Sequence, residues 1–238
     1  MARTYVVSDI HGCYGEFLEL LRKIDFRDED ELFVLGDVLD RGKEPIPLIR
    51  DIMDRPNVFM IKGNHDIMAL GVLRALGVEV SDKNIDNLKS ENIAAFLEWM
   101  SNGGETTVEQ FRALPSEVRE DILCYLEEAE DYEVLNVGGK CYILVHGGLK
   151  NFSSDKELYE YSTDELVWER PDYTKRYFED ERVVLVTGHT PTSLIRDDEK
   201  PLVYQANGHL AIDCGCVFGG NLAAVCLDTG EVTYVESK

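Results

Sequence analysis

The stretch Leu32-Phe33-Val34-Leu35-Gly36-Asp37-Val38-Leu39-Asp40-Arg41-Gly42 sets the pattern of this chain. A short apolar run breaks at a glycine into a polar loop, and apolar residues then return at helical spacing over residues 46–53. Such a run, bounded by turn residues and followed by an amphipathic stretch, reads as strand, loop, helix. The same unit stands before it. Residues 3–8 end at Asp9-Ile10-His11-Gly12, and Phe17, Leu18, Leu20, Leu21 and Ile24 then share one helical face. It also stands after it, where residues 57–61 lead to Gly63-Asn64-His65-Asp66 and a helix over about 65–76. Three such units in succession predict a largely parallel sheet of βαβ units. The polar loops fall at the carboxyl ends of the strands, where such sheets bind ligands.

From 77 to 131 the pattern changes to charged segments of helical period, with Ile93, Phe96, Leu97 and Met100 on one face and Val118, Ile122, Tyr125 and Leu126 on another. This region is expected to be a helical insertion. Strand character returns at 132–137 and 141–145 around Gly138-Gly139, a hairpin signal. Further strands are expected at 183–187, 201–204, 209–213, 221–227 and 232–236, the last two joined by Asp228-Thr229-Gly230. No low-complexity linker or internal repeat interrupts the chain, so residues 1–238 are expected to form a single domain.

Composition narrows the function. The chain carries 24 Lys+Arg against 46 Asp+Glu, a net charge of −22. Duplex binding needs a basic footprint to exchange for counterions, so nucleic-acid partners are not expected, and anionic membrane surfaces are disfavoured for the same reason. No apolar run approaches a membrane span. The opening Met1–Asp9 stretch holds no long apolar segment, and the six cysteines form no C-x-x-C pair. The expectation is a cytoplasmic protein with reduced thiols.

Five short segments carry the chemistry: Asp9-Ile10-His11-Gly12, Asp37 to Gly42 with Gly36 before it, Gly63-Asn64-His65-Asp66, Val145-His146-Gly147-Gly148 and Gly188-His189-Thr190. Four of the five histidines lie in them. A structural histidine has no reason to prefer glycine-flanked strand ends. Asp9, His11, Asp37, Asn64, His146 and His189 are oxygen and imidazole donors without a thiolate, a set that suits Mn, Mg, Fe or Zn. Six donors are too many for one ion with open positions. They fit two ions sharing a carboxylate, roughly 3.5–4 Å apart, a centre that suits phosphoester hydrolysis by a hydroxide formed on the metals. G-D-x-x-D-R-G alone fixes five positions, which chance supplies at on the order of one position in a million.

These motifs, D-x-H-G, G-D-x-x-D-R-G, G-N-H-[DE], H-G-G and G-H-T, resemble those of the phosphoprotein phosphatase branch of the calcineurin-like metallophosphoesterases, above all its small prokaryotic and phage forms. Val167-Trp168-Glu169-Arg170 resembles that group's W-x-R segment, and Ile212-Asp213-Cys214-Gly215 through Leu222 resembles its closing I-D-T-G segment. The resemblance spans nearly the whole chain. It implies an α/β fold, a β-sandwich of two mixed sheets flanked by helices. It also implies roles. Asp9 and His11 would bind a first metal, Asp37 would bridge, and Asn64, His146 and His189 would complete a second site. His65 would be the general acid, with Asp40 orienting it. An unassisted histidine is mostly neutral at pH 7, so a carboxylate beside it has a physical job. Arg41, Arg170 and Asn64 would hold phosphate oxygens, for which a guanidinium fork is well shaped.

Three departures stand out. Lys62 occupies a position where the phage-type enzymes carry arginine, Asp66 replaces the commoner glutamate, and Gly188-His189-Thr190-Pro191-Thr192 lacks the second histidine of many nuclease and phosphodiesterase relatives. The resemblance therefore implies a two-metal, Mn²⁺-type Ser/Thr protein phosphatase, with some reach to Tyr, acting on phosphorylated proteins or peptides. The alternative is a nucleotide hydrolase of the symmetrical diadenosine tetraphosphatase type, followed by a phosphodiesterase. Trp99 and Trp168 read as packing groups, Cys13 and Cys214 as small buried hydrophobes. Tyr14 reads as a pocket-lining group, and the acidic run Glu127-Glu128-Ala129-Glu130-Asp131 as a solvated helix end.

Overall fold

Strand, loop and helix repeat three times at the start of the computed structural model, which describes residues 2–76 and 90–238. β1 (Thr4–Val7) leads to α1 (Tyr14–Lys23), β2 (Glu31–Val34) to α2 (Pro45–Met53), and β3 (Val58–Met60) to α3 (Asn64–Leu76). Phe17, Leu20 and Leu21 of α1 and Ile46, Leu48, Ile49 and Ile52 of α2 are buried, the helical spacing read from the sequence. Among the described residues, three helices follow, α4 (Ser90–Ser101), α5 (Glu105–Arg112) and α6 (Ser116–Glu128). The first part of the expected insertion, residues 77–89, lies outside the described residues. Then come β4 (Tyr132–Val137), β5 (Lys140–Val145), α7 (Thr163–Val167), β6 (Val183–Thr187), β7 (Tyr204–Ala206), β8 (His209–Ala211), β9 (Asn221–Cys226) and β10 (Val232–Glu236).

The strands form two five-stranded sheets, ordered β10-β9-β1-β2-β3 and β4-β5-β6-β8-β7. In the first, β1, β2 and β3 are parallel and β9 and β10 run antiparallel. In the second, β5, β6 and β8 are parallel between antiparallel edges. Alternation along each strand assigns every side chain to a layer. Val6 and Phe33 face the second sheet, where they meet Tyr142, Leu144, Val184 and Val186. Tyr5, Val7, Leu32 and Val34 point the other way and pack on α1, α2 and α3. Ile143, Val145 and Leu185 cover the far face of the second sheet together with Leu149 and Leu166. The result is the α/β sandwich of two mixed sheets flanked by helices. It aims the carboxyl ends of six parallel strands at one edge.

Two details differ from the sequence reading. The strand expected at 201–204 begins only at Tyr204. Asn207 and Gly208, at φ 52° and 78°, form the tight hairpin that sets its place. That is the Asn-Gly signal of a two-residue turn, while the Val203 N–H is held by Tyr234 Oη instead of by a ladder. On α4, Phe96 and Met100 pack against the core as their spacing suggests, but Ile93 and Leu97 are exposed and Trp99 is fully buried, so the buried face is rotated from the one expected.

Leu144 is fully buried between the sheets. Leu144→Ala should cost about 2–5 kcal/mol of unfolding free energy, read from the urea midpoint. A loss below about 1 kcal/mol would mean that the two sheets do not rely on this contact.

Candidate active site

The loops at these strand ends are held in costly conformations. Asp9, His11, Asp37, Asp40, Arg41 and His189 all have positive φ, between 45° and 71°. Such residues cost on the order of 1–3 kcal/mol each and persist only where their surroundings hold them. Here the loops are stitched to each other. The N–H groups of His11 and Gly12 donate to the carbonyls of Asp37 and Val38, both at 2.9 Å, and the Arg41 N–H donates to Gly103 O at 2.8 Å. The Asp66 carboxylate is the central tie. It accepts backbone N–H bonds from Asp37 (2.7 Å), Val38 (3.1 Å), Leu39 (3.3 Å) and Gly63 (3.1 Å). Burial and the charge of Asp37 push the Asp66 carboxyl up to about 7, and the four donors are what favour its ionised form. Gly63 packs against the same loop, where a Cβ would collide with the Asp37 backbone and carboxylate.

The expected donors converge. The ligand atoms of His11 and Asp37 lie within 4.8 Å of one another and of a nitrogen of His65, which was expected as the acid and not as a ligand; those of Asp37, His146 and His189 are equally close together. Asp37 belongs to both triads: Oδ2 is 3.4 Å from His11 Nε2 and Oδ1 is 3.5 Å from His146 Nε2. Asn64 Oδ1 sits 2.9 Å from His146 Nε2 and 2.8 Å from His189 Nδ1. Asp9 belongs to neither triad but borders the second. Its carboxylate accepts the His189 N–H at 3.0 Å and the Ser8 hydroxyl.

Backbone carbonyls set the imidazoles. His11 Nδ1–H donates to Leu39 O at 2.8 Å and His146 Nδ1–H to Leu35 O at 2.6 Å, which turns both Nε2 atoms towards Asp37. Metal-binding histidines are oriented in this way. Burial holds the His11 and His189 imidazoles down at about 3, neutral and able to donate a lone pair. Burial would also lower His146, but the charge of Asp37 raises it to about 10. The Asp37 carboxyl, pushed up by burial, is brought well below its ordinary range chiefly by His146. Burial pushes the Asp9 carboxyl up to about 6. A cation held at His146 Nε2 would take the place of its proton, so loading the centre would release protons. The donor set and its supporting carbonyls fit a pair of divalent ions.

His65, at the edge of the first triad, donates Nδ1–H to Asp40 Oδ2 at 2.8 Å, both residues being buried. Asp40 has two further donors that the sequence reading missed. Trp99 Nε1–H reaches the same oxygen at 2.8 Å, and Thr107 Oγ1–H reaches Oδ1 at 2.7 Å. Trp99 was expected to be packing alone; it is packed, and it also donates to the Asp40 carboxylate that holds His65. The signal was available in kind, since a buried indole N–H requires an acceptor. Another buried acid, Asp213, accepts the Gly215 N–H at 2.9 Å; burial and the charge of Asp9 push its carboxyl well above the ordinary range.

Arg41 Nη1 lies 2.8 Å from His11 Nε2, and the charge of the exposed Arg170 reaches His189. Lys62 is turned to Asp131, with Nζ 3.3 Å from its carboxylate. The acidic run is therefore only partly a solvated helix end: Glu127 pairs with Arg74 and Asp131 with Lys62. Trp168 was expected to pack; it is 44% exposed, with its ring 6.2 Å from that of His189. Tyr14 does not join the cluster but lines a cleft beside Pro47, Arg50 and Leu114. All six cysteines are free thiols.

Comparison with known proteins agrees with this geometry. The family model for calcineurin-like phosphoesterases matches residues 2–235, and the chain belongs to that family. A bis(5'-nucleosyl)-tetraphosphatase PrpE of the asymmetrical kind, from Geobacillus thermodenitrificans, is 30% identical over 92% of this chain and 88% of its own. A symmetrical bis(5'-nucleosyl)-tetraphosphatase from Erwinia tasmaniensis is 33% identical over 41% of this chain and 36% of its own. A crystal structure provisionally named a diadenosine tetraphosphatase has a TM-score of 0.67 at 17% identity, covering 100% of this chain and 94% of that one, a likeness of fold. The chain is a metallophosphoesterase.

Trp99→Phe keeps the ring and removes the donor to Asp40. The variant should keep its metal content and lose about 1.5–3 kcal/mol of stability, the worth of a hydrogen bond to a charged group. Its turnover number should fall with it. Unchanged stability and turnover would show that Trp99 serves only as filling.

Proposed function

We propose that this chain hydrolyses dinucleoside tetraphosphates at a two-metal centre, in the asymmetrical manner that releases a nucleoside triphosphate and a nucleoside monophosphate. The observation that carries the chemistry is the place of the Asp37 carboxylate, with His11 at one oxygen and His146 at the other. The choice of a nucleotide substrate rests on a relative of that name matching along 92% of the chain. This reverses the order expected from the motifs, which put phosphoproteins ahead of nucleotides. No nucleic acid or membrane partner enters the reading, and among the described residues no helix is long and apolar enough to cross a membrane. We take residues 1–238 as one catalytic unit working in the cytoplasm.

In this reading Asp9, His11 and Asp37 hold one ion, and Asp37, Asn64, His146 and His189 hold the other. Mn²⁺ is the proposed metal; Fe, Zn and Mg also suit nitrogen and oxygen donors. When bound, such a pair supplies Lewis-acid polarisation of the phosphate and an activated water. The remaining steps belong to the chain's own groups. Arg41 and Arg170 clamp phosphate oxygens from the two sides of the cluster, assisted by the Asn64 amide. His65, held through Nδ1 by Asp40, turns Nε2 towards the cleft and delivers a proton to the departing oxygen. Asp40 keeps that ring in one orientation because Trp99 and Thr107 hold its carboxylate from behind.

Product analysis on diadenosine tetraphosphate tests the substrate and the cut together. ATP and AMP in equal amounts are expected. ADP alone would make the cut symmetrical, and no turnover beside active hydrolysis of a phosphoserine peptide would return the protein-phosphatase reading to first place.

The role of His65 is separable from metal binding. An alkoxide leaving group needs a proton as it departs, whereas a nitrophenolate does not. His65→Asn should retain both ions, lose about 10²–10⁴-fold on a model alkyl phosphate, and lose much less on p-nitrophenyl phosphate. Equal loss on both would assign His65 to phosphate binding.

A further inference from the structure

Two exposed aromatic rings flank the cluster, Phe218 on the His11 side beneath the Arg41 guanidinium and Trp168 against the His189 ring. On the His11 side, Phe218 ends a short 3-10 turn (Cys216–Phe218) between Gly215 and Gly219, and its ring is 65% exposed. The Arg41 guanidinium lies over that ring, 5.1 Å from its centroid, while Nη1 reaches His11 Nε2 at 2.8 Å. On the His189 side, Trp168 is 44% exposed, meets the His189 ring edge-on, and precedes Arg170 by two residues. Outward from Asp37, an imidazole leads to an exposed ring in both directions, through the Arg41 guanidinium on the His11 side and directly on the His189 side.

Exposed aromatic rings next to the carboxylates, imidazoles and Arg41 guanidinium of the cluster offer planar faces on which a ligand's own planar group can stack. Base stacking on such rings is worth enough to measure and tolerates any base, because every base has a π-face. A phosphopeptide brings no planar group to each end of its phosphate. A mononucleotide brings one. A chain of phosphates with a nucleoside at both ends brings two, separated by the anionic stretch that Arg41 and Arg170 would hold. We infer that Trp168 and Phe218 are stacking platforms for the two nucleobases of a dinucleoside polyphosphate, so that the enzyme recognises both ends of its substrate. This inference rests on the nucleotide reading of the site given above. It also implies indifference to base identity, since no hydrogen-bond readout of a base edge is involved.

Both rings are at the surface, so their replacement does not threaten the core. The test uses the Mn²⁺-loaded enzyme and compares the KM for diadenosine tetraphosphate with the inhibition constant of inorganic tetrapolyphosphate, which carries the charge without the bases. Trp168→Ala and Phe218→Ala should each raise the ratio of KM to that inhibition constant about ten-fold, and Trp168→Phe and Phe218→Tyr should restore it to within about two-fold of the wild type. Diguanosine tetraphosphate should respond in the same way. An unchanged ratio in both alanine variants would overturn the platforms while leaving the tetraphosphatase reading intact. A wild-type enzyme that cleaves phosphoserine peptide and no dinucleoside tetraphosphate would overturn that reading, and the platforms with it.

Discussion

The Asp37 carboxylate lies between two sets of imidazoles, 3.4 Å from His11 on one side and 3.5 Å from His146 on the other. It is buried, and a buried charge of this kind persists only when opposite charges or cations are fixed around it. The rest of the cleft follows from keeping that oxygen pair in place. The loop that carries Asp37 has positive φ at Asp37, Asp40 and Arg41 and is gathered by the four N–H bonds converging on Asp66. The closeness of Gly63, which leaves no room for a Cβ, lets the third strand's loop dock against it and deliver Asn64 and His65 together. The strain is affordable because the sandwich beneath is a continuous apolar layer from which six parallel strands end at the same edge.

The helical segment after α3 is joined to this centre through the acid. Trp99 from α4 and Thr107 from α5 meet at Asp40, and Gly103 between those helices accepts the Arg41 N–H. One helical layer thereby fixes both the His65–Asp40 pair and the backbone of Arg41. A change in how these helices pack would reach catalysis without touching a metal ligand.

Much of this was legible in the sequence because each βαβ unit announces its own loop. An apolar run broken by Gly36 or Gly63, with Asp37 or Asn64 next to the break, names strand, strand end and donor at once. The histidines were legible because they are scarce and clustered. What the sequence hid were partnerships that depend on three-dimensional geometry. Trp99 and Thr107 lie 59 and 67 residues from Asp40, and no periodicity connects them. Asp66 read as a mild substitution, because its work is done on backbone N–H groups, which carry no side-chain signature. Trp168 read as core because tryptophan usually is, and only the folded position beside His189 leaves it open. The hairpin at Asn207-Gly208 was readable, but the apolar stretch just before it drew the strand too early.

Calorimetric titration of the purified chain with Mn²⁺, wild type against Asp37→Asn, addresses the central claim most directly. Two ions per chain are expected for the wild type, with proton uptake by the buffer as His146 gives up its proton. In Asp37→Asn the shared charge is gone, and at least one ion should no longer bind while the fold remains intact by circular dichroism. A single ion in the wild type, or two ions held as tightly by Asp37→Asn as by the wild type, would contradict a centre built around one shared carboxylate.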